Sequence, residues 1–377
     1  MKFDFNQGQN ILKESARKLL SNECTTEFVR EIADGTREFP EELWEKMAEL
    51  GWMTLLIPEE YGGSGFNFLD LSVILYEMGY HCMPGPFFST VVEGGLSVLE
   101  AGTPAQKTTI LPEIAEGKHK LTLAWLETGG VYGREGIALS AVREDDRFVL
   151  TGTKLFVQNA HSADTIICAA RTADTSGTSD GITLFLVDSK LKGLDVTRLP
   201  TMSGDRQCEV RFNRVEVPET CILGKLNQGW TALDSVLRKS AVATCAEMTG
   251  GAEKVMDIVI PYAKGRKQFG RPIGAFQSIQ HHCANMLTFA ETIKFMTFQA
   301  AWRITEGVFS EMDASICKAW ASDAYRQVVA LGHQVVGGVG FMEEFDLQLY
   351  FKHAKCAQQR FGDGDFHRER VAEAMGL

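Results

Sequence analysis

No stretch of this 377-residue chain approaches about 18 consecutive apolar residues, so no membrane-spanning helix is expected. The segment Met1-Lys2-Phe3-Asp4-Phe5-Asn6-Gln7 lacks the basic and apolar regions of a secretory signal, and the protein is expected to be soluble and cytoplasmic. Excess positive charge is also missing. With 38 basic and 49 acidic residues the net charge is -11, which argues against a general nucleic-acid binder because a phosphate backbone needs a positive field. The nine cysteines are odd in number and scattered without a C-x-x-C, so neither a disulfide framework nor a zinc cluster is signalled. Neither H-E-x-x-H nor H-x-x-x-H occurs among the eight histidines, and no metal site is expected. No G-x-G-x-x-G follows a strand-like run, which counts against nicotinamide binding.

What is present is an ordinary globular composition, 45% hydrophobic and 23% charged, long enough for two or three structural units. Residues 1–120 read as helical. Ile11, Leu12, Ala16, Leu19 and Leu20 fall near one helix face. Pro40 with Glu41 and Glu42 announces a second helix carrying Leu43, Met47 and Leu50 and stopping at Gly51. Further helical patterns run from Leu69 to Met78 and after Pro86. Residues 121–226 change to short β-branched and aromatic runs, Phe148–Val157, Ile182–Val187, Val210–Phe212 and Val215–Val217. The Ser/Thr/Asp/Gly cluster Thr172–Asp180 reads as a hairpin loop, and the lack of intervening helices favours an antiparallel sandwich or barrel. Residues 227–377 are helical again, with a long pattern interrupted by Gly250-Gly251 and three more over 274–306, 311–336 and 344–359, enough for a four-helix bundle. The expected class is therefore α+β: an N-terminal helical domain, a middle antiparallel β-domain and a C-terminal four-helix bundle.

Four segments together resemble one family. Tyr262-Ala263-Lys264-Gly265-Arg266-Lys267-Gln268-Phe269-Gly270, with Gln277-Ser278-Ile279-Gln280 after it, is similar to a Y-A-x-x-R-x-Q-F-G…Q-x-I-Q signature. Gln334-Val335-Val336-Gly337-Gly338-Val339-Gly340 is similar to Q-x-x-G-G-x-G; Leu126-Glu127-Thr128-Gly129 resembles T-E-P-G; and Gly152–Asn159 resembles G-x-K-x-W-I-T-N. These are segments of the acyl-CoA dehydrogenases, so the chain resembles that family over nearly its whole length. The resemblance implies an FAD cofactor, an acyl-CoA thioester substrate, an electron-transferring flavoprotein as partner and a dimer-of-dimers assembly. Arg266 and the Gly337-Gly338 pair would meet the FAD pyrophosphate, with Gln334, Gly337 and Gly338 serving the FAD of a neighbouring subunit. Phe156 would wall the isoalloxazine, and Leu126, Glu127, Gly129, Gln158, Gln268, Phe269 and Gln277 complete the implied cofactor set. Each has a plainer reading: Arg266 a helix-end cation, the glycines a helix-terminating turn, Phe156 core packing.

The departures concern chemistry. Leu126 stands for the family's threonine, Tyr132 for its serine, and Phe156 and Gln158 for Trp and Thr, removing hydroxyl contacts to the ring. Ala354–Asp363 aligns with A-K-x-x-x-x-Y-E-G-T, placing Phe361 where the catalytic glutamate of much of the family stands. The position some relatives use instead falls at Ser240, and that of its neighbouring arginine at Ala241. Three explanations stay open. A substitute carboxylate acts, Glu93 after Phe87-Phe88 or Asp363, with Asp365 nearby; Asp363 also reads as a helix N-cap within Gly362-Asp363-Gly364. Alternatively the chain is a silent, FAD-supporting subunit of a heterotetramer with a glutamate-bearing homologue, for which the run Phe361–Glu369 with His367 and Arg368 speaks. The third possibility is a flavin-free binding or structural protein on the same fold. Arg238 and Lys239 read as a CoA-phosphate contact or, more simply, a surface pair.

Overall fold

The computed structural model describes residues 5–173 and 181–377. The chain folds into two compact units. A helical unit comprises Met1–Arg37, Phe68–Met83 and Ala241–Leu377; a β unit comprises Glu38–Asn67 and Pro84–Ser240.

In the helical unit, α1 (Gln7–Glu23) starts at a capping box in which Asn6 and Gln9 exchange side-chain and backbone bonds. Its buried residues are Gln9, Ala16 and Leu20, whereas Ile11 is 61% exposed, so the apolar face is narrower than the sequence pattern implies. α2 (Thr26–Asp34) is capped by Thr25 and ends at left-handed Gly35. α4 (Phe68–Tyr80) is buried on nearly every side. Its polar groups are matched: buried Glu77 takes a two-pronged bond from Arg17 at 2.7 and 3.0 Å, and Tyr80 donates to Asp257 at 2.7 Å. The remaining long helices are α7 (Gly229–Gly265), α8 (Gln277–Thr305), α9 (Glu311–Val336), α10 (Leu347–Gln359) and a fifth, α11 (Gly364–Ala374). α7 runs unbroken through Gly250-Gly251, contrary to the expected interruption. A Cβ at Gly250 would run into the Tyr76 carbonyl, and one at Gly251 into the Tyr325 hydroxyl. These glycines admit close neighbours rather than end the helix.

The β unit holds α3 (Glu41–Glu49), begun by Pro40 and closed by Gly51 in the left-handed region, as the sequence implies, although Leu50 is exposed and Trp44 joins the buried face. A π-helical turn, Phe88–Gly94, leads into α5 (Gly95–Ala101), and α6 (Pro104–Ala115) follows a Thr103 capping box. The strands are β1 (Leu121–Ala124), β2 (Ser140–Glu144), β3 (Arg147–Gln158), β4 (Thr165–Arg171), β5 (Ile182–Asp188), β6 (Leu194–Arg198), β7 (Gln207–Pro218) and β8 (Ile222–Leu223). They form one sheet in the order β6-β7-β3-β2-β4-β5-β8, with β1 beside β4. Pairing is antiparallel except for β1 with β4 and the one-residue contact of β2 with β4. The two runs expected around 210–217 are one strand. Alternate residues of these strands, Phe148, Leu150, Cys168, Ala170, Phe185, Val187, Val210 and Phe212 among them, make one buried cluster. The expected hairpin loop at Thr172–Asp180 falls largely outside the described residues; Thr172 N–H reaches the Gly181 carbonyl at 2.8 Å across its base.

Candidate functional site

Glu93 lies in the π-helical turn and is 3% exposed. π-Turns inside helices widen the backbone by one residue per turn and concentrate at functional sites. This one is fixed to β1: the Thr90 hydroxyl both donates to the Leu121 carbonyl and accepts from the Leu121 amide, each at 3.2 Å, and a Cβ at Gly94 would overlap the Leu121 side chain. The Ser97 hydroxyl takes up the Glu93 carbonyl at 2.6 Å. A buried acid is thus carried on a turn whose backbone is spoken for.

Beyond β1 the chain passes through Trp125, Leu126, Glu127 and Gly129. Glu127 Oε1 accepts from the amides of Ala138 at 3.0 Å and Leu139 at 2.9 Å and from Lys154 Nζ at 2.7 Å. Lys154 is wholly buried and also donates to the Trp125 carbonyl at 3.0 Å. The Glu127 side chain therefore shapes the segment through protein contacts, and the Leu126 carbonyl is occupied by the Leu155 amide at 2.9 Å. Lys154 was missed as a working residue; a lysine at a strand position flanked by core residues is the signal. Register shifts between Lys154 and Val157 mark a β-bulge, and Phe156 at its centre has φ 57° with half its surface exposed. Bulges re-aim side chains, and a bulky residue in the left-handed region is held there by its surroundings. Gln158 contributes its carbonyl to the Thr122 hydroxyl at 2.5 Å. Tyr132, which stands for the family's serine, packs against Trp125, ring centroids 5.8 Å apart.

In the helical unit, Arg266 ends α7 and opens a two-residue hairpin, Lys267-Gln268 against Arg271-Pro272. Its tip, Phe269 (φ 52°) and Gly270 (φ 80°), has positive φ at both central positions, the geometry of a tight hairpin turn. The tip leaves Phe269 91% exposed, and the Arg266, Gln268 and Gln277 side chains are exposed as well. Gln334 is exposed in the last turn of α9, which ends at Gly337 (φ 72°, ψ -146°), a conformation suited to glycine. A Cβ added at Gly337 or Gly338 would meet nothing within 4 Å, so the backbone there faces open space. Tyr262, one turn before Arg266, packs on Phe345 just beyond the glycine turn, centroids 6.1 Å apart.

Phe361 lies between α10 and α11, 7% exposed, at φ 57° with Gly362 at φ 99°. Asp363 caps α11, its Oδ1 accepting the Phe366 amide at 2.9 Å, and Asp365 is exposed and bonded by Arg368 at 2.8 Å. Capping is the plainer role its turn composition allowed, and it leaves Glu93 the stronger candidate base. Ser240 and Ala241 are both buried in α7. Two turns on, buried Glu247 is paired with Arg360 at 3.0 Å; burial raises its carboxyl and Arg360 opposes the rise. Arg238 and Lys239 are ion-paired with Asp234 and Glu100, the plainer of their two readings. No pairing of cysteines occurs among the described residues.

These features fit a flavin dinucleotide. An exposed guanidinium and an open glycine turn suit a pyrophosphate, and the exposed rings of Phe156 and Phe269 are surfaces that flat aromatic groups would cover. Comparison with known proteins agrees. Residues 6–118, 124–215 and 227–376 match models of the acyl-CoA dehydrogenase N-terminal, middle and C-terminal domains. A 3-(aryl)acrylate reductase of Clostridium sporogenes is 31% identical over 98% of this chain and 99% of its own. The caffeyl-CoA reductase-Etf complex subunit CarC of Acetobacterium woodii is 29% identical over 93% of each. Butyryl-CoA dehydrogenase from Megasphaera elsdenii superposes with a TM-score of 0.93 at 26% identity, covering 100% of both chains.

Proposed function

This chain belongs to the acyl-CoA dehydrogenase family, and from that premise we propose that it desaturates a straight, branched or alicyclic acyl-CoA thioester with Glu93 as the proton acceptor. It is an FAD-dependent oxidoreductase. Bound FAD supplies the hydride acceptor. The chain supplies the rest: Arg266 with Gln268 and Phe269 holds one end of the dinucleotide, Gln334, Gly337 and Gly338 approach a neighbouring subunit's cofactor, and Phe156 walls the ring with Leu126, Gly129 and Gln158 beside it. Gln277 completes the set.

The observation that carries the assignment of the base is the burial of Glu93 in a pinned π-turn. The proton beside a thioester is weakly acidic, so its acceptor must be fixed and shielded from water. Phe361 cannot accept a proton and Asp363 is engaged as a cap. Electrons pass to an electron-transferring flavoprotein, a partner of the kind named in the Acetobacterium woodii relative. A multimer is part of the same reading: Leu287, Phe295 and Trp302 on α8 and Ile316 and Trp320 on α9 are exposed apolar side chains for a second copy to cover. Among the described residues no helix is long and apolar enough to cross a membrane, and a cytoplasmic place accords with that.

The test is anaerobic titration of the purified yellow protein with acyl-CoAs of graded shape. Loss of flavin absorbance with at least one of them is the expected result. Bleaching only after a homologous subunit with a Y-E-G segment is added would assign the chemistry to that partner, and a colourless protein that takes up no FAD would overturn the reading.

A further inference from the structure

At the opening of β1, the other end of that strand from Leu126 and Glu127, the β unit sets three side chains in a row that the chemistry above does not use. Glu113 is in the last turn of α6, and its Oε2 lies 3.1 Å from His119 Nδ1; His119 Nε2 lies 2.9 Å from Thr165 Oγ1 at the start of β4. A carboxylate only accepts, so Nδ1 of the neutral ring carries the proton, and the lone pair on Nε2 receives the threonine hydroxyl. A hydroxyl, a base and an orienting carboxylate, each within hydrogen-bond reach of the next, form the arrangement that makes an alcohol reactive toward acyl groups. The backbone around the row is fixed. Gly117, left-handed at φ 71°, turns the chain from α6 toward β1; its carbonyl accepts Trp44 Nε1 at 2.6 Å, and a Cβ there would meet Ala48 Cβ at 2.9 Å. The Lys120 amide donates to Asp164 Oδ2 at 2.9 Å and the Asp164 amide to the Lys120 carbonyl at 2.8 Å, so the neighbours of His119 and Thr165 are stapled together. Leu121 then pairs with Thr165 in the parallel ladder of β1 and β4. The row opens to solvent: half of the Glu113 side chain and a quarter of that of His119 are exposed, and Thr165 is half-buried.

We propose that Thr165, His119 and Glu113 form a nucleophilic relay and that Thr165 is an acyl-acceptor site, taking the acyl group of a thioester of the acyl-CoA class. In the step, the Thr165 oxygen bonds to the thioester carbonyl carbon and the C–S bond breaks. The hydroxyl proton passes through His119 Nε2 to the departing thiolate, leaving an ester on the chain and a free thiol, with no net oxidation or reduction. Thr165 and His119 are the catalytic pair; Glu113 is a positioning residue that holds the ring in the tautomer with Nε2 bare. An exposed ion pair between His119 and Glu113 would by itself add little stability, and the third member aligned on the other ring nitrogen is what the relay explains. The relay lies within the β unit, uses neither flavin nor Glu93, and is independent of the desaturation reading.

The experiment uses the FAD-loaded full chain and acetyl-CoA, whose acyl group has no carbon pair to desaturate, so flavin chemistry cannot intervene. The expected result is a single acetyl group per chain with matching release of the CoA thiol. It is removed by neutral hydroxylamine, as an ester is and a lysine amide is not, and fragmentation mass spectrometry places it on Thr165. Thr165→Val, which keeps a β-branched side chain in the strand, is expected to abolish this labile acetyl and the thiol release that matches it. His119→Gln is expected to slow labelling by about a hundredfold or more, the range for losing a general base. Glu113→Gln presents an amide that can donate to Nδ1 and move the ring proton to Nε2; it is expected to slow labelling by about as much, with the tautomer read from nitrogen NMR of the imidazole. A merely structural partner would move the tautomer and leave the rate. No ester on Thr165, or acetyl found only as lysine amides, overturns the acceptor site. An ester formed at the wild-type rate in His119→Gln overturns the base, and an unchanged rate in Glu113→Gln overturns the positioning role.

Discussion

The Phe361 loop and the Glu93 turn are opposites. The first has the clamp and no acid: two buried donors, Lys318 and His367, fix a left-handed backbone that presents an apolar ring. The second has the acid on a widened helical turn, fixed by the reciprocal bonds of Thr90 with Leu121. Holding a side chain in place and giving it proton chemistry are separable properties of a fold. Family motifs describe the two together, which is why a motif position can keep its geometry while its chemistry resides elsewhere.

The largest effect that would break this comparison is at Glu93. Glu93→Gln is expected to slow flavin reduction by about a thousandfold, within the range for losing a general base, with the flavin spectrum of the bound cofactor intact. Stopped-flow bleaching checks it. Next in size, Arg266→Gln is expected to weaken FAD retention about tenfold or more, the loss of one or two charge-assisted bonds, read as cofactor released on gel filtration.

The smallest effects concern the clamp itself. Burial first, then the charges of Lys318 and Arg370, lowers His367 from its ordinary value to about 3, while its bond to the Phe361 carbonyl and Asp363 oppose the fall. Between roughly pH 6.5 and 3 the unfolded chain therefore binds a proton that the folded one refuses, so stability from this site is present above 6.5 and drains away as pH falls. His367→Gln is expected to flatten the loss of stability across that window, measured by thermal unfolding at several pH values; His81 and His161, both lowered to about 4 chiefly by burial, retain their share. Lys318, lowered to about 8 chiefly by burial, behaves with the same sign higher up: above pH 8 the folded state releases a proton the unfolded chain still holds. Lys318→Met is expected to cost about 2 kcal/mol, the stranded Gln358 and Gly362 carbonyls outweighing the relief of a buried charge.

Much of the architecture was legible because periodicity and caps are local signals. Pro40-Glu41-Glu42 marks the start of α3, and the alternation in Phe148–Val157 marks β3. Gly250-Gly251 misled because a glycine pair looks the same whether it breaks a helix or lets another backbone approach; only the neighbours Tyr76 and Tyr325 decide. Ile11 misled because a helical stripe does not state how wide a face its partners cover. At the site, the Arg266 and Gly337 segments are contiguous and readable. The roles of Glu127, Lys154, Lys318 and His367 are not, because each depends on a partner distant in the sequence: 27 residues separate Glu127 from Lys154, 44 separate Lys318 from Gly362 and 52 separate His367 from Ser315. Glu93 was legible as a candidate acid, but its π-turn was not, since one extra residue per turn leaves no distinct mark on the pattern.

The direct test of Glu93 as the proton acceptor is solvent hydrogen exchange into the acyl group. The FAD-loaded protein is incubated with a bleaching acyl-CoA in deuterium oxide under anaerobic conditions, and the acyl carbons are read by NMR and mass spectrometry. The account predicts deuterium at the carbon beside the thioester with the wild type and with Phe361→Ala, and none above the protein-free rate with Glu93→Gln. Exchange in Glu93→Gln at the wild-type rate would contradict it.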